Sequence, residues 1–185
     1  MSSQDRVSMD IFKIVTKATA ESENLDTMTN HLSQLLVGTL GLKGCTIFVL
    51  NPSTKELERL ASFGLSISYL TKGPVQADRS LGEALRGEPV IVRDVRHSDR
   101  VQYPEEGKKE GIAAIVSIPI TFLRRPIGVL RLYDQKAWDI SEQDVDSLLL
   151  LAEIIGLAMG YTRLLNTLQA IDEEVKELHK VWLQI

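Results

Sequence analysis

Two stretches, 115–121 and 127–133, alternate with a period of two, and that pattern predicts a pair of β-strands. In the first, Val116, Ile118 and Ile120 alternate with Ile115, Ser117, Pro119 and Thr121. In the second, Gly128, Leu130 and Leu132 alternate with Val129, Arg131 and Tyr133. Arg124, Arg125 and Pro126 punctuate the pattern, so the pair reads as a hairpin that turns there. One face of the hairpin is almost wholly apolar and is expected to lie under helices. The other must satisfy a serine, an arginine and a tyrosine, and a ligand is expected on that face.

Upstream, residues 8–20 carry Ile11, Ile14 or Val15, and Ala18 at helical spacing. Asn24 is the expected N-cap of a second helix with Leu25, Met28, Leu32, Leu35, Leu36 and Leu40 on its apolar stripe and Gly41 as its C-cap. Strands are predicted at 45–50 and at about 56–63, separated by a turn. Ser80 and Glu83 have capping-box spacing for a short helix that Gly87 stops, and 89–92 is a short strand. The polar connection 94–111, with a short helix at 104–110, has the length of a lid.

Ser141 opens the last helix. Steps of four and three then lead from Leu150 through Ile154, Leu157, Tyr161, Leu164, Leu168, Ile171, Val175, Leu178 and Trp182 to Ile185, which is a heptad seam. A straight helix over this stretch, about 45 residues, reaches about 67 Å, farther than one small domain can cover. A homodimer is therefore expected, joined in parallel along 157–185 with residues 8–20 packed beside the seam. Its predicted interface is Leu157, Tyr161, Leu164, Leu168, Ile171, Val175, Leu178 and Trp182.

The 185 residues and 44% hydrophobic content suit one core plus a helical extension. A net charge of −4 and a pI near 5.4 argue against a nucleic-acid partner. The polar first residues predict no signal peptide, and the most apolar window, 148–160, is short for a bilayer and contains Glu153. No membrane association and a cytoplasmic location are expected. Cys45 is the only cysteine, which rules out an intramolecular disulfide and fits a reducing compartment. On its strand it reads as a small buried hydrophobe before a redox sensor. The three histidines, His31 among them as a surface residue, have no metal-ligand spacing. No nucleophile–base pair, paired acids or glycine-rich phosphate loop is recognisable.

The run Ser80-Leu-Gly-Glu-Ala-Leu-Arg-Gly-Glu-Pro-Val-Ile-Val-Arg-Asp-Val95 is one of two informative blocks. The other is Ile115-Val-Ser-Ile-Pro-Ile120 with Ile127-Gly-Val-Leu-Arg-Leu132, continued by Trp138, Ser141, Asp144 and Leu148. Together, over about residues 25–160, they resemble GAF domains, in the form of a stand-alone bacterial-type domain with a C-terminal coiled-coil helix. The resemblance implies an α+β, profilin-like fold: a six-stranded antiparallel sheet with terminal helices on one face and a lid and pocket on the other. It also implies dimerisation through the terminal helices and regulatory or sensory work. The expected organisation is an N-terminal helix in 1–24, the GAF domain in 25–160 and a coiled-coil extension in 161–185.

Departures from the family's patterns narrow the ligand. Cyclic-nucleotide GAF domains carry Asn-Lys…Phe…Asp-Glu after the last strand, where this chain has Gln135, Lys136, Trp138, Ser141 and Glu142. Bilin-binding relatives attach their chromophore through a lid cysteine, and this lid has none. Relatives that reduce free methionine sulfoxide work through several cysteines, so a non-enzymatic protein is expected, with no cofactor assigned.

Alternation places Phe48, Ser117, Arg131 and Tyr133 on the lid side of the sheet, and the lid adds Arg96, His97 and Tyr103 as expected ligand contacts. Two arginines near one cavity favour an anionic or carboxylate-bearing metabolite. The competing assignments are an Arg131 that snorkels or pairs with Asp94, Asp99 or Glu105, an exposed loop His97, and a Tyr103 that merely staples the lid. Two functions follow: a small-molecule sensor read out through a dimeric helix to a downstream signalling protein, or a ligand-free GAF fold kept for dimerisation or partner docking. A sheet face filled by its own side chains favours the second.

Overall fold

The computed structural model describes residues 5–22, 24–51, 53, 54, 56–73, 75 and 81–182, with side chains described as far as Lys176. The expected seam side chains Leu178, Trp182 and Ile185, and the expected cap Ser80, lie outside the described set.

Helix α1 is Met9–Ala20 and turns Ile11 and Val15 inward. Helix α2, Leu25–Leu40, begins where the Asn24 side chain accepts from the Thr27 amide and ends at Gly41, whose φ of 64° suits glycine. Strands β1 (Gly44–Leu50) and β2 (Leu57–Phe63) follow, then a single turn of helix, α3 (Ile67–Leu70). A 3-10 turn at Ala84–Arg86, strand β3 (Val90–Val92), a second 3-10 turn at Val95–His97 and helix α4 (Pro104–Lys109) lead to the hairpin β4 (Ala114–Phe122) and β5 (Arg125–Asp134). Helix α5 (Glu142–Trp182) closes the chain.

The sheet is antiparallel throughout, in the order β2-β1-β5-β4-β3. It has five strands among the described residues, not the expected six; between β2 and β3 the described residues form α3 and the 3-10 turn. The hairpin turns at Leu123 and Arg124, one residue earlier than expected, and both residues have positive φ (50° and 62°). Such a two-residue turn follows the twist of the strands although neither residue is the usual glycine or asparagine. Arg125 and Pro126 thus belong to β5, and Pro126 stands opposite Thr121 beside a register shift, where its missing donor is tolerated.

Cys45, Ile47, Val116, Ile118, Ile120, Leu130 and Leu132 from the sheet pack with Ile11, Val15, Met28, Leu32, Leu36, Leu148, Leu151 and Ile155 in the main core. All of them come from one face of the sheet and from α1, α2 and α5. Asp144, buried in the first turn of α5, accepts the backbone N–H groups of Arg6 and Val7 at 2.8–3.0 Å. Arg6 also pairs with Asp134 at 2.5 Å and lies over the Trp138 ring at 4.7 Å. The segment before α1 is thereby fastened to the start of α5.

By length and composition α5 is long and apolar enough to cross a membrane. Its first half behaves as a core helix, with Leu148, Leu151, Ala152, Ile155 and Met159 buried against the sheet. Beyond that the seam lies open: Leu157, Tyr161, Leu164, Leu168, Ile171 and Val175 are each 52–63% exposed.

Candidate functional site

The second face of the sheet carries two small apolar clusters. Phe48, Leu81, Ala84, Val90 and Val129 form one; Tyr69, Val92, Val95, Ile112, Ile115 and Tyr133 form the other. Between them strand register lines up a polar row. Thr46 stands opposite Ser62 on one side and Arg131 on the other, and Arg131 stands opposite Ser117. The Thr46 and Ser62 hydroxyls are 3.2 Å apart. Thr46, Ser117 and Arg131 are all buried, Arg131 at 6% exposure. A guanidinium fixed in mid-sheet under a cover is the feature of this face that packing alone does not require.

The cover comes from two segments. Lys72 follows α3; its ammonium lies 3.6 Å from the centre of the Tyr69 ring and 5.7 Å from that of Tyr103, and it donates to the Tyr69 carbonyl at 3.0 Å. Gly73, at a φ of 130°, lets the Tyr103 hydroxyl approach so closely that a Cβ there would sit 2.6 Å from it. Tyr69 meets Tyr133 edge-on at 5.9 Å, and the Arg131 guanidinium is 5.8 Å from the Tyr133 ring. Among the described residues, Tyr69, Lys72, Val75, Val101, Gln102, Tyr103 and Arg131 line a small recess of about 10 Å³. That is the room of about one water, far below the few hundred Å³ of a metabolite site.

Electrostatics follow from this burial. It pushes the Tyr69 phenol up, with Tyr133 adding to the effect. It also pushes Tyr133 up, against the opposing pull of Arg131 and a hydrogen bond with Thr46. Lys72 is lowered to about 8, first by burial and then by the positive charges of Arg131 and Arg59. At the rim, Glu110 binds Lys43 at 3.2 Å and accepts from the Ser66 amide and hydroxyl. Burial alone would raise its carboxyl, but the bonds from Ser66 and Lys43 outweigh that and the net shift is downward. A depressed carboxylate stabilises the fold above its ordinary pKa and loses that contribution as pH falls through the folded value. Glu110→Gln is therefore expected to lower the midpoint of thermal unfolding at pH 7, with a penalty that shrinks below the usual carboxylate range.

Of the expected contacts, Ser117, Arg131, Tyr133 and Tyr103 meet around the covered row, and Phe48 lies on the same face in the neighbouring apolar cluster. Arg96 and His97 do not join them. Both are exposed and turn back onto Asp94, which accepts the Arg96 Nη2 at 2.6 Å and lies 3.3 Å from His97 Nδ1. Hydrogen bonds from the Arg96 side chain and backbone hold the Asp94 carboxyl well below the usual range. Arg96 instead borders an open groove of about 800 Å³ with Lys108 and Lys136. Thr46, Ser62, Tyr69 and Lys72 are additional members of the covered face. Register with Arg131 could have found the first two, but Lys72 sits in a linker without periodicity and gave no signal.

Cys45 is fully buried on the opposite, helix-covered face, and burial pushes its thiol up, so it is neither exposed nor a ready thiolate. Native protein is expected to label slowly with a thiol reagent and quickly once unfolded; fast native labelling would contradict this burial. The described residues hold no cluster of three or more metal-binding side chains.

The sequence profile of the GAF domain matches residues 22–160. No curated protein sequence matches the chain. Among solved structures, the GAF domain of a phosphoenolpyruvate-protein phosphotransferase from Coxiella burnetii is similar at 19% identity and a TM-score of 0.73, over 86% of this chain and 98% of that one. The corresponding Acinetobacter domain gives 19% identity and a TM-score of 0.72, over 84% of this chain and 93% of that one. A free methionine-R-sulfoxide reductase from Neisseria meningitidis, solved with its substrate, gives 17% identity and 0.70, over 88% and 98%. These likenesses concern the fold. GAF domains are generally regulatory or sensory, and with three quarters of its length matched by the profile, this chain belongs to the GAF domain family.

Proposed function

We propose that this chain is a cytoplasmic, non-enzymatic regulatory module that acts as a parallel homodimer through the outer half of α5 and docks a downstream signalling protein in that form. The observation that carries the proposal is the unbroken apolar seam from Leu157 to Val175, more than half exposed on the single chain and longer than its own domain can cover. Grooves of about 470 and 680 Å³ flank it, one bordered by Leu157, Tyr161 and the end of α1, the other by Phe122, Ile127 and Met159. They leave room for the helices of a second copy. Light scattering of the purified chain tests the proposal: twice the chain mass is expected, and a monomer at micromolar concentration contradicts it.

A second reading, small-molecule sensing, is favoured by the buried polar row of Thr46, Arg131 and Ser117 beneath a cover that includes Tyr69, Lys72 and Tyr103. An anionic or carboxylate-bearing metabolite suits that row, but the recess of about 10 Å³ requires Tyr103 and Lys72 to move before one could enter. The filled face weighs toward the dimerisation and docking reading. Native mass spectrometry of protein purified from its own host separates the two: a stoichiometric small molecule lost in Arg131→Leu supports sensing, and a bare dimer supports docking.

A further inference from the structure

We propose that the groove between α5 and the end of the β4–β5 hairpin binds a straight-chain fatty acid, its hydrocarbon against the hairpin and its carboxylate on Arg163. The site lies on the helix side of the sheet, away from the covered row of Thr46, Arg131 and Ser117. It goes beyond the regulatory reading and does not depend on the dimer.

The groove exists because α5 outruns the sheet. As far as Met159 the helix is buried against the strands. The same helix face continues at Arg163, Asn166 and Ala170, in steps of four, three and four. Beyond the strand ends it borders a groove of about 680 Å³. Leu25 of α2, Leu50 of β1, and Phe122 and Ile127 of the hairpin, all half-buried, form the other walls. Gly160 sets the close approach: a Cβ there would lie 2.6–2.8 Å from three atoms of the Phe122 ring, so the ring rests on the helix backbone. The volume is that of a small-molecule site.

None of these α5 positions belongs to the seam. Met159 and Asn166 stand about 170° around the helix from it, so a partner helix laid along the seam leaves this groove open.

Polarity is sorted within the groove, and that sorting selects the ligand. Everything outside α5 that lines it is apolar. Its polar side chains, Arg163, Asn166 and Thr167, all come from α5, and none is acidic. The Thr167 hydroxyl already donates to the Arg163 carbonyl at 2.9 Å. That leaves the Arg163 guanidinium and the Asn166 amide, neither with a side-chain partner among the described residues. An apolar trough edged by one free guanidinium matches an apolar chain that ends in one carboxylate, which a guanidinium holds through two parallel hydrogen bonds. An uncharged hydrocarbon leaves that cation unused.

The test titrates the full chain, in the oligomeric state it adopts, with sodium dodecanoate below its micellar concentration, followed by calorimetry. One molecule per chain is expected. Decanoate should bind about tenfold more weakly, since each methylene left unburied costs a factor of about three to four. Arg163→Gln, at an exposed position, should weaken dodecanoate about tenfold or more and leave the binding of 1-dodecanol unchanged. Dodecanoate labelled with ¹³C in its terminal methyl group should show nuclear Overhauser contacts to Ile127 and Met159. No binding below the micellar concentration, equal loss of acid and alcohol in Arg163→Gln, or contacts confined to Leu164 and Leu168 overturns the proposal. Capture by vesicles of anionic phospholipid without binding of the free acid also overturns it, and would assign the groove to a membrane surface.

Discussion

Replacing Leu164 and Ile171 together by lysine is expected to convert the proposed dimer into a monomer of unchanged fold. Each side chain has about half of its surface still exposed on the single chain, 57% and 52%. Covering the remainder of a leucine or isoleucine contributes about 1 kcal/mol. In a symmetric pair the two positions count twice, so the double substitution removes about 4 kcal/mol. It also forces four ammonium groups toward an apolar seam, where an unpaired charge costs more again. A loss of this size weakens association at least about a thousandfold. The domain should survive, because the part of α5 packed on the sheet ends near Met159. Equilibrium sedimentation reads the mass, and circular dichroism the helix content. A dimer that persists would place the interface elsewhere.

The second large effect is expected at Gly156, where α5 packs directly on the β4 backbone. A Cβ on Gly156 would lie 2.0 Å from the Thr121 carbonyl oxygen and 3.3 Å from the Ile120 Cγ2. Carbon and carbonyl oxygen approach no nearer than about 3.3 Å even in favourable contacts, so the helix must retreat by more than an ångström. It carries the buried Ala152, Ile155 and Met159 with it. Overpacking of this kind costs about 3 kcal/mol, more than the roughly 1 kcal/mol that replacing a helical glycine returns. Gly156→Val, at a net cost of about 2 kcal/mol, should lower the unfolding midpoint by about 4–8 °C. Gly38, also within a helix, has nothing within 4 Å of its Cβ position, so Gly38→Ala should raise the midpoint slightly. Equal effects at the two sites would mean that close approach does not decide the fit of α5.

Where the chain's periodicity was strong, the fold was legible. The two hairpin strands, the Asn24 cap, the Gly41 stop and the Ser141 start of α5 all stand where local chemistry puts them. Ser141 accepts the Asp144 amide, and the Asp144 carboxylate then fastens residues 6 and 7, a contact across 137 or more positions that no local pattern encodes. The turn stands at Leu123 and Arg124, one residue before the position proline signals, because a register shift beside Pro126 lets the proline sit in the strand. A sixth strand came only from the family resemblance.

The candidate site was half legible. Alternation assigns Arg131 and Tyr133 to one face without any knowledge of the lid, since a strand offers its side chains only two directions. Lid side chains have no such constraint. Arg96 and His97 are captured by Asp94 two and three residues away, a local bond that competes with reaching across to the sheet. Lys72 is placed by the fold of a linker, with the Tyr69 ring beneath it, a meeting that no local sequence pattern encodes.

The measurement that bears most directly on a parallel α5 dimer is disulfide formation between single cysteines introduced along the helix in a Cys45→Ser background. The seam is sampled at Leu157, Leu164, Leu168 and Ile171, and the flank at Arg163 and Ala170. A parallel, in-register seam brings each seam residue within disulfide reach of its own copy in the partner, with Cα atoms about 4.4–6.8 Å apart. The account predicts rapid covalent dimers from the seam positions and slow ones from the flank. Equal rates at all positions, or cross-linking confined to the flank, would contradict it.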